Sequence, residues 1–169
     1  KSVRNVIGII EGSDSALKEE WIVVGAHYDH LGMGGEYSMD RNAGAEIHNG
    51  ADDNASGTAG ILELARVLSE DSTLLKRSII FIAFAGEELG LLGSSYFVNH
   101  PTIKLDNAVV MLNFDMIGRL TNNRVFVGGV GTSPDFPMLL TQFNQSIGLD
   151  LDYSESGSGS SDHTSFNLK

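Results

Sequence analysis

Residues 78–88, SIIFIAFAGEE, join an almost uninterrupted apolar run to a glycine and two adjacent acids. Two similar runs, WIVVGA at residues 21–26 and AVVMLNF at residues 108–114, also lead directly into charged or ionisable residues. Continuous apolar runs of this length are typical of strands that are covered on both faces, as in a parallel sheet with helices on each side. The three segments therefore predict an α/β fold with buried central strands.

Periodic apolar residues between these runs predict helices. A helix is expected to begin at Ser56, a good N-cap residue, and to bury one apolar face. Strands that alternate with helices predict a three-layer αβα fold with a mostly parallel, mixed central sheet. The buried face of the helix that begins at Ser56 is predicted to be Ile61, Leu64, Ala65 and Leu68. Further strands are predicted at Val3–Ile10 and Arg124–Val127, and further helices at Glu88–Asn99 and Pro134–Ile147. Loops are predicted at Gly32–Gly50 and Ser154–Ser161.

Composition restricts the classes of function. The 169 residues, 41% of them hydrophobic, suit a single domain covering residues 1–169. A net charge of −11 repels phosphate backbones and anionic membranes, so no nucleic-acid partner is expected. No apolar run approaches the roughly 20 residues of a membrane span, although a cleaved signal could have preceded Lys1. The absence of cysteine excludes thiolate zinc sites and cysteine nucleophiles.

Acidic residues follow the predicted strands or precede the first helix. The carboxyl ends of parallel strands meet at one edge of a sheet, so we expect these side chains to converge. Mutual repulsion and desolvation would raise their pKa values unless cations neutralised them. Two divalent ions would supply four positive charges against five carboxylates, which are Asp29, Asp53, Glu87, Glu88 and Asp115.

Two histidines accompany these acids. His27 follows the strand at residues 21–26, and His163 follows the Gly/Ser loop. Imidazole and carboxylate donors without sulfur suit Zn²⁺ better than Ca²⁺. If one aspartate bridges two ions, each ion has three protein donors and open positions for water and substrate, which is typical of hydrolysis. Taken singly, His163 could be a surface residue, and the pair Glu87 and Glu88 could be a solvated helix start.

Five motifs together resemble the M28 family of zinc aminopeptidases. The resemblance covers nearly the whole chain and implies a zinc-exopeptidase, phosphorylase/hydrolase-like fold, with peptides that have a free N-terminus as substrates. The motifs are GAHYDHLG (25–32), NGADDNASG (49–57), FAGEELGLLGS (84–94), NFDMIGR (113–119) and SDHTSF (161–166).

The resemblance also implies a ligand set for two Zn²⁺ ions. Asp53 would bridge the ions, His27 and Asp115 would complete one site, and Glu88 and His163 would complete the other. Asp52 is the alternative to Asp53, but its spacing to the following Asn-Ala-Ser-Gly fits the bridging position less well. The neighbouring His30 and His48 are expected to order the long loop or to line the pocket.

Two catalytic roles follow from the same resemblance. Glu87 would be the general base, beside the metals but not bonded to them. Asp29 would accept a hydrogen bond from the second imidazole nitrogen of His27 and so fix its tautomer. A cis peptide is implied between Asp53 and Asn54, a conformation that is costly outside functional sites.

The chain departs from the family pattern at its end. Family domains usually continue past the last histidine motif with a further strand and helix, so a C-terminal segment is expected to be missing after Lys169. Three alternatives remain open: a glutaminyl cyclase with one zinc, a carboxypeptidase of the same superfamily, and a receptor-like domain that has lost its metals. A secreted or periplasmic location is expected from the family, and the oligomeric state is left open.

Overall fold

The computed structural model describes residues 2–35, 38–39 and 45–169, so the predicted loop at residues 32–50 is described except at 36–37 and 40–44. The strands and helices alternate as the apolar pattern predicts. Their bounds are β1 Val6–Ile10, β2 Trp21–His27, α1 Gly57–Glu70, β3 Ser78–Phe84, α2 Leu92–Asn99, β4 Ala108–Asn113, β5 Arg124–Gly128, α3 Asp135–Asn144, β6 Asp150–Ser154 and α4 His163–Asn167.

The main sheet of the described chain has the strand order β1-β3-β2-β4. Strand β2 pairs in parallel with both β3 and β4, whereas β1 pairs antiparallel with β3. The prediction of a mostly parallel, mixed sheet is confirmed. Strands β5 and β6 form a separate parallel pair.

Alternate side chains of β2 and β3 bury the two faces of the sheet. One face packs Val23, Ile80, Ile82 and Phe84 against Phe97 of α2, with Phe166 of α4 at its margin. The opposite face packs Val24, Ala26, Ile79 and Phe81 against Ile61 of α1, with Ala65 and Leu68 of the same helix at its margin. Helices on both faces confirm the three-layer architecture, and β2 and β3 are the buried central strands that the apolar runs predict. The same prediction is wrong for the run at residues 108–114, because β4 is the edge strand of the described sheet and Val109 and Leu112 are exposed.

Several predicted elements differ in detail from the structure. Helix α2 begins at Leu92 instead of Glu88 because Gly86 (φ 74°) and Gly90 (φ 99°) adopt left-handed conformations that form a turn. On α1, Leu64 is 37% exposed and does not belong to the buried face. The Ser56 hydroxyl does not cap α1 and donates instead to the main-chain oxygen of Asp52 at 2.6 Å.

Three further differences concern the second half of the chain. Helix α3 is shorter than predicted and ends at Asn144. Strand β6 was not predicted, because its sequence DLDYS is largely polar. Helix α4 has five residues, too few to show an apolar period.

Within the described residues, no helix combines the length and apolar character needed to cross a lipid bilayer.

Gly93 allows α2 to approach the end of β3 closely. A Cβ atom at this position would lie 2.5 Å from the main-chain oxygen of Ala85 and 2.4 Å from Oδ1 of Asn5. We expect Gly93→Ala to lower the free energy of unfolding by about 1–3 kcal/mol, since backbone atoms cannot move aside as a flexible side chain can. Urea denaturation measures this change.

Gly60→Ala in α1 is the matched control. Its new methyl group would meet only Cδ1 of Ile117, at 2.8 Å, which is the far end of a flexible side chain. The gain in helix propensity of about 1 kcal/mol should leave this variant at least as stable as the parent. Equal stability of the two variants would contradict the close packing of α2.

Candidate metal centre

The site lies where β2, β3 and β4 end at the same edge of the sheet. His27 is the last residue of β2, the turn with Glu87 and Glu88 follows β3, and Asp115 lies two residues beyond β4. Asp53 lies in the turn at residues 51–56 that leads into α1. Topology therefore brings together residues that are up to 88 positions apart in sequence.

The first group of donor atoms surrounds His27, which is 1% exposed. Its Nε2 lies 3.2 Å from Oδ1 of Asp53, 3.5 Å from Oδ1 of Asp115 and 3.9 Å from Oε2 of Glu87. Among the described residues, this Nε2 and Oδ1 of Asp115 are buried and form no hydrogen bond. Buried polar atoms without hydrogen bonds are costly, so their convergence is typical of ligands for an ion.

The second group lies on the other side of Asp53. Nδ1 of His30 is 2.6 Å from Oε1 of Glu88 and 4.0 Å from Oδ2 of Asp53. The two carboxylate oxygens of Asp53 therefore face different groups, Oδ1 towards His27 and Oδ2 towards His30. This orientation suits a bridging carboxylate.

Both groups have the chemistry of zinc ligands. Within each group, one donor atom per residue lies within 4.8 Å of the others. Imidazole nitrogen and carboxylate oxygen are ordinary zinc donors. The residues present therefore fit two metal ions, one near His27, Glu87 and Asp115 and the other near His30, Asp53 and Glu88.

Asp29 supports the turn that carries the two glutamates. Its carboxylate oxygens accept hydrogen bonds from the backbone N–H groups of Glu87 (3.1 Å) and Glu88 (3.4 Å). Nδ1 of His27 lies 3.1 Å from the main-chain oxygen of Asp29 and 3.7 Å from its carboxylate. The predicted contact with the imidazole is therefore made by the main chain, because the carboxylate is held by the turn.

Asn54 connects the Asp53 turn to the end of β4. Its Nδ2 donates to the main-chain oxygen of Phe114 at 2.9 Å, and its Oδ1 accepts from the N–H groups of Gly57 (2.9 Å) and Met116 (3.3 Å). The Asp53–Asn54 peptide is cis, which confirms the expectation from the family resemblance. This network holds Asp53 and Asp115 on adjacent, mutually bonded turns.

Asp52 faces away from the donor groups. Its Oδ1 accepts from the N–H of Gly118 at 2.8 Å, and its Oδ2 lies 3.3 Å from Nε of Arg119. A carboxylate engaged in this way is not directed at His27. The geometry thus favours Asp53 over Asp52 as the bridging residue.

The charges of the site are strongly coupled. Burial alone would lower the pKa of His27, but Asp115 and Asp29 outweigh it and raise the pKa to about 11. Burial raises the pKa of Glu87 to about 7, with the charges of Asp162 and Asp115 adding to the effect against the pull of His27. Burial also raises the pKa of Asp115, but His27 and Ser161 outweigh it and hold this pKa below its usual value.

His163 lies at the start of α4, outside both donor groups of the described residues. The loop before it is attached to the site edge because Nδ2 of Asn113 donates to Oγ of Ser161 at 2.7 Å. Burial lowers the pKa of His163, against the opposing charge of Asp115, which favours the neutral form that a metal ligand needs. Its role as a zinc ligand stays a prediction.

Sequence reasoning missed three features of the site. It assigned His30 to the loop or the pocket wall, whereas the structure places it against Glu88. It gave no role to Asn54, which is 1% exposed, or to the fully buried Asp162. Burial raises the pKa of Asp162 to about 6. These roles depend on contacts through space, for which neighbouring sequence carries no signal.

Replacing Asn54 tests the network between the two turns. We expect Asn54→Ala to lower the free energy of unfolding of the metal-free chain by about 2–3 kcal/mol, because buried backbone groups lose their partners. Urea denaturation in the presence of a chelator measures this change.

Asn99→Ala is the matched control, since the Asn99 side chain is exposed, donates to the main-chain oxygen of Ser95 and accepts from the exposed Nζ of Lys169. Its effect should stay within about 0.5 kcal/mol. A similarly small effect of Asn54→Ala would contradict the assigned network.

Comparison with known proteins identifies the family of the chain. A model of Peptidase family M28 matches residues 5–169. Aminopeptidase YwaD of Bacillus subtilis (strain 168) is 42% identical over 117 residues, which are 68% of this chain and 22% of that protein. The chain therefore spans about a fifth of the length of this relative.

Solved structures share the fold. BSAP, a zinc aminopeptidase from Bacillus subtilis, has a TM-score of 0.70 and 34% identity over 97% of this chain and 37% of its own. A Bacteroides thetaiotaomicron glutaminyl cyclase bound to N-acetylhistamine has a TM-score of 0.71 and covers 97% of this chain and 60% of its own. At 22% identity, the latter likeness concerns the fold alone.

Proposed function

Because the chain belongs to peptidase family M28, we propose that it is the catalytic domain of a zinc-dependent aminopeptidase, which removes the N-terminal residue of a peptide. The single observation that carries this proposal is the orientation of Asp53, whose two carboxylate oxygens face separate donor groups. The similarity to aminopeptidase YwaD and to the zinc aminopeptidase BSAP supports the same reading.

Two zinc ions would be held by five side chains. Asp53 would be shared between the sites, with His27 and Asp115 on one side and Glu88 and His163 on the other. The distances around His27 support the first set, since both carboxylates lie within 3.5 Å of its Nε2. When bound, zinc would lower the pKa of water and polarise the scissile carbonyl oxygen.

Glu87 would be the general base. Its side chain is 10% exposed and its Oε2 lies 3.9 Å from Nε2 of His27, the longest of the three carboxylate contacts in that group. It would take a proton from the attacking water and deliver it to the leaving amine. Asp29, which holds the Glu87 N–H, would keep this carboxylate in position.

The substrate would be a peptide with a free N-terminus. A net charge of −11 attracts the positively charged terminal ammonium group over a distance of several ångströms.

The test compares the parent chain with Glu87→Gln on aminoacyl p-nitroanilides. We expect release of p-nitroaniline that a chelator abolishes and zinc restores. Glu87→Gln should lower kcat by at least about 100-fold because the amide cannot accept the proton. Zinc content, measured by elemental analysis, should stay near two ions per chain in both proteins.

Glu11→Gln, at an exposed glutamate paired with Lys18, is the matched control and should retain full activity. Acetylation of the substrate N-terminus should prevent cleavage. Full activity of Glu87→Gln would remove Glu87 from the mechanism. Cyclisation of N-terminal glutamine without peptide hydrolysis, with one zinc per chain, would contradict the proposal in favour of a cyclase.

A further inference from the structure

We propose that His30 is a positioning residue that holds the Glu88 carboxylate by a hydrogen bond from Nδ1, so that Glu88 is oriented as a metal ligand before the ion arrives. This inference rests on the proposed two-metal function and extends it to a residue outside the five predicted ligands. His30 would act through Glu88 and would not bind the ion itself.

The distance between the two side chains identifies the type of contact. Nδ1 of His30 lies 2.6 Å from Oε1 of Glu88. Two donors bound to one tetrahedral zinc at bond lengths of about 2.0 Å would lie about 3.3 Å apart. A separation of 2.6 Å is too short for two ligands of one ion and is that of a short hydrogen bond between an imidazole N–H and a carboxylate oxygen. The contact therefore orients Glu88 through Oε1, so that Oε2 can serve as the metal donor.

Close packing fixes the His30 ring in turn. A Cβ atom at Gly50 would lie 2.8 Å from Cβ and 2.9 Å from Cγ of His30, so the Gly50 backbone contacts the histidine directly. On another side, the His48 ring meets the His30 ring edge-on, with centroids 6.3 Å apart. The N–H of His48 donates to the main-chain oxygen of Gly32 at 2.7 Å, which joins the two ends of the loop at residues 32–50. His30 is therefore held in place by both ends of the loop.

Two consecutive residues, Asp29 and His30, hold both the backbone and the side chain of Glu88. The carboxylate of Asp29 accepts from its backbone N–H at 3.4 Å, and His30 contacts its side chain. The Glu88 side chain is 18% exposed, so water does not fully replace this partner if it is lost. Partners of this kind, hydrogen-bonded to a metal ligand, typically contribute 10- to 100-fold in metal affinity, a rough range.

The experiment titrates the metal-depleted chain with Co²⁺ and follows both binding heat and visible absorption. The parent should bind two ions. We expect His30→Ala to keep one affinity and to weaken the other by about 10- to 100-fold. His30→Asn should recover most of this loss, because its amide N–H can take the place of Nδ1–H but does not bind the metal.

His100→Ala, at an exposed histidine stacked on Tyr96, is the matched control and should bind both ions as the parent does. Unchanged affinities in His30→Ala would overturn the proposal. Equal loss in His30→Ala and His30→Asn, with a changed Co²⁺ spectrum, would also overturn it, because His30 would then be a ligand. A parent chain that binds fewer than two ions would overturn the two-metal function as well, and the two failures are thus distinguishable.

A second measurement does not depend on the variants being folded. Long-range ¹H–¹⁵N correlation spectra of the metal-free parent should show a proton on Nδ1 of His30. A ring protonated only on Nε2 could not donate to Glu88 and would contradict the proposal.

Discussion

Repulsion among carboxylates at one edge of the sheet is the constraint on which the rest of the site depends. Asp53, Glu87 and Asp115 all place an oxygen within 4 Å of a single imidazole nitrogen. The His27 imidazole is the cation in contact with these oxygens among the described residues, and Asp115 and Asp29 raise its pKa to about 11 against the effect of burial. A bound cation would relieve the repulsion that remains among the three carboxylates.

The fold resists this repulsion by fixing the backbone of each charged residue. Strands β2 and β3 are buried on both faces, so their carboxyl ends cannot separate without exposing the core. Asn54 ties the turn that carries Asp53 to the end of β4, and Asp29 holds the backbone of the two glutamates after β3. The donor geometry is therefore supplied by the protein in advance, which reduces the cost of ordering ligands when metal binds.

The apolar runs are sufficient to predict the positions of the three parallel strands, but only β2 and β3 are covered on both faces, whereas β4 lies at the edge of the described sheet. The bounds of β2, β3 and β4 agree with the prediction to within one residue. The start of α2 could not be predicted, because acidic residues directly after a strand are typical of the first turn of a helix. The left-handed conformations of Gly86 and Gly90, which delay the helix, are visible only in the structure. The contact of His30 with Glu88 could not be predicted either, because the topology brings several side chains to this sheet edge and only the side-chain geometry decides which of them contacts Glu88.

Diffraction from crystals of the zinc-loaded chain, recorded on both sides of the zinc absorption edge, would show whether two ions share Asp53. We expect two anomalous peaks about 3.5–4 Å apart, each beside one carboxylate oxygen of Asp53. A single peak, or two peaks of which neither contacts Asp53, would rule out the shared site.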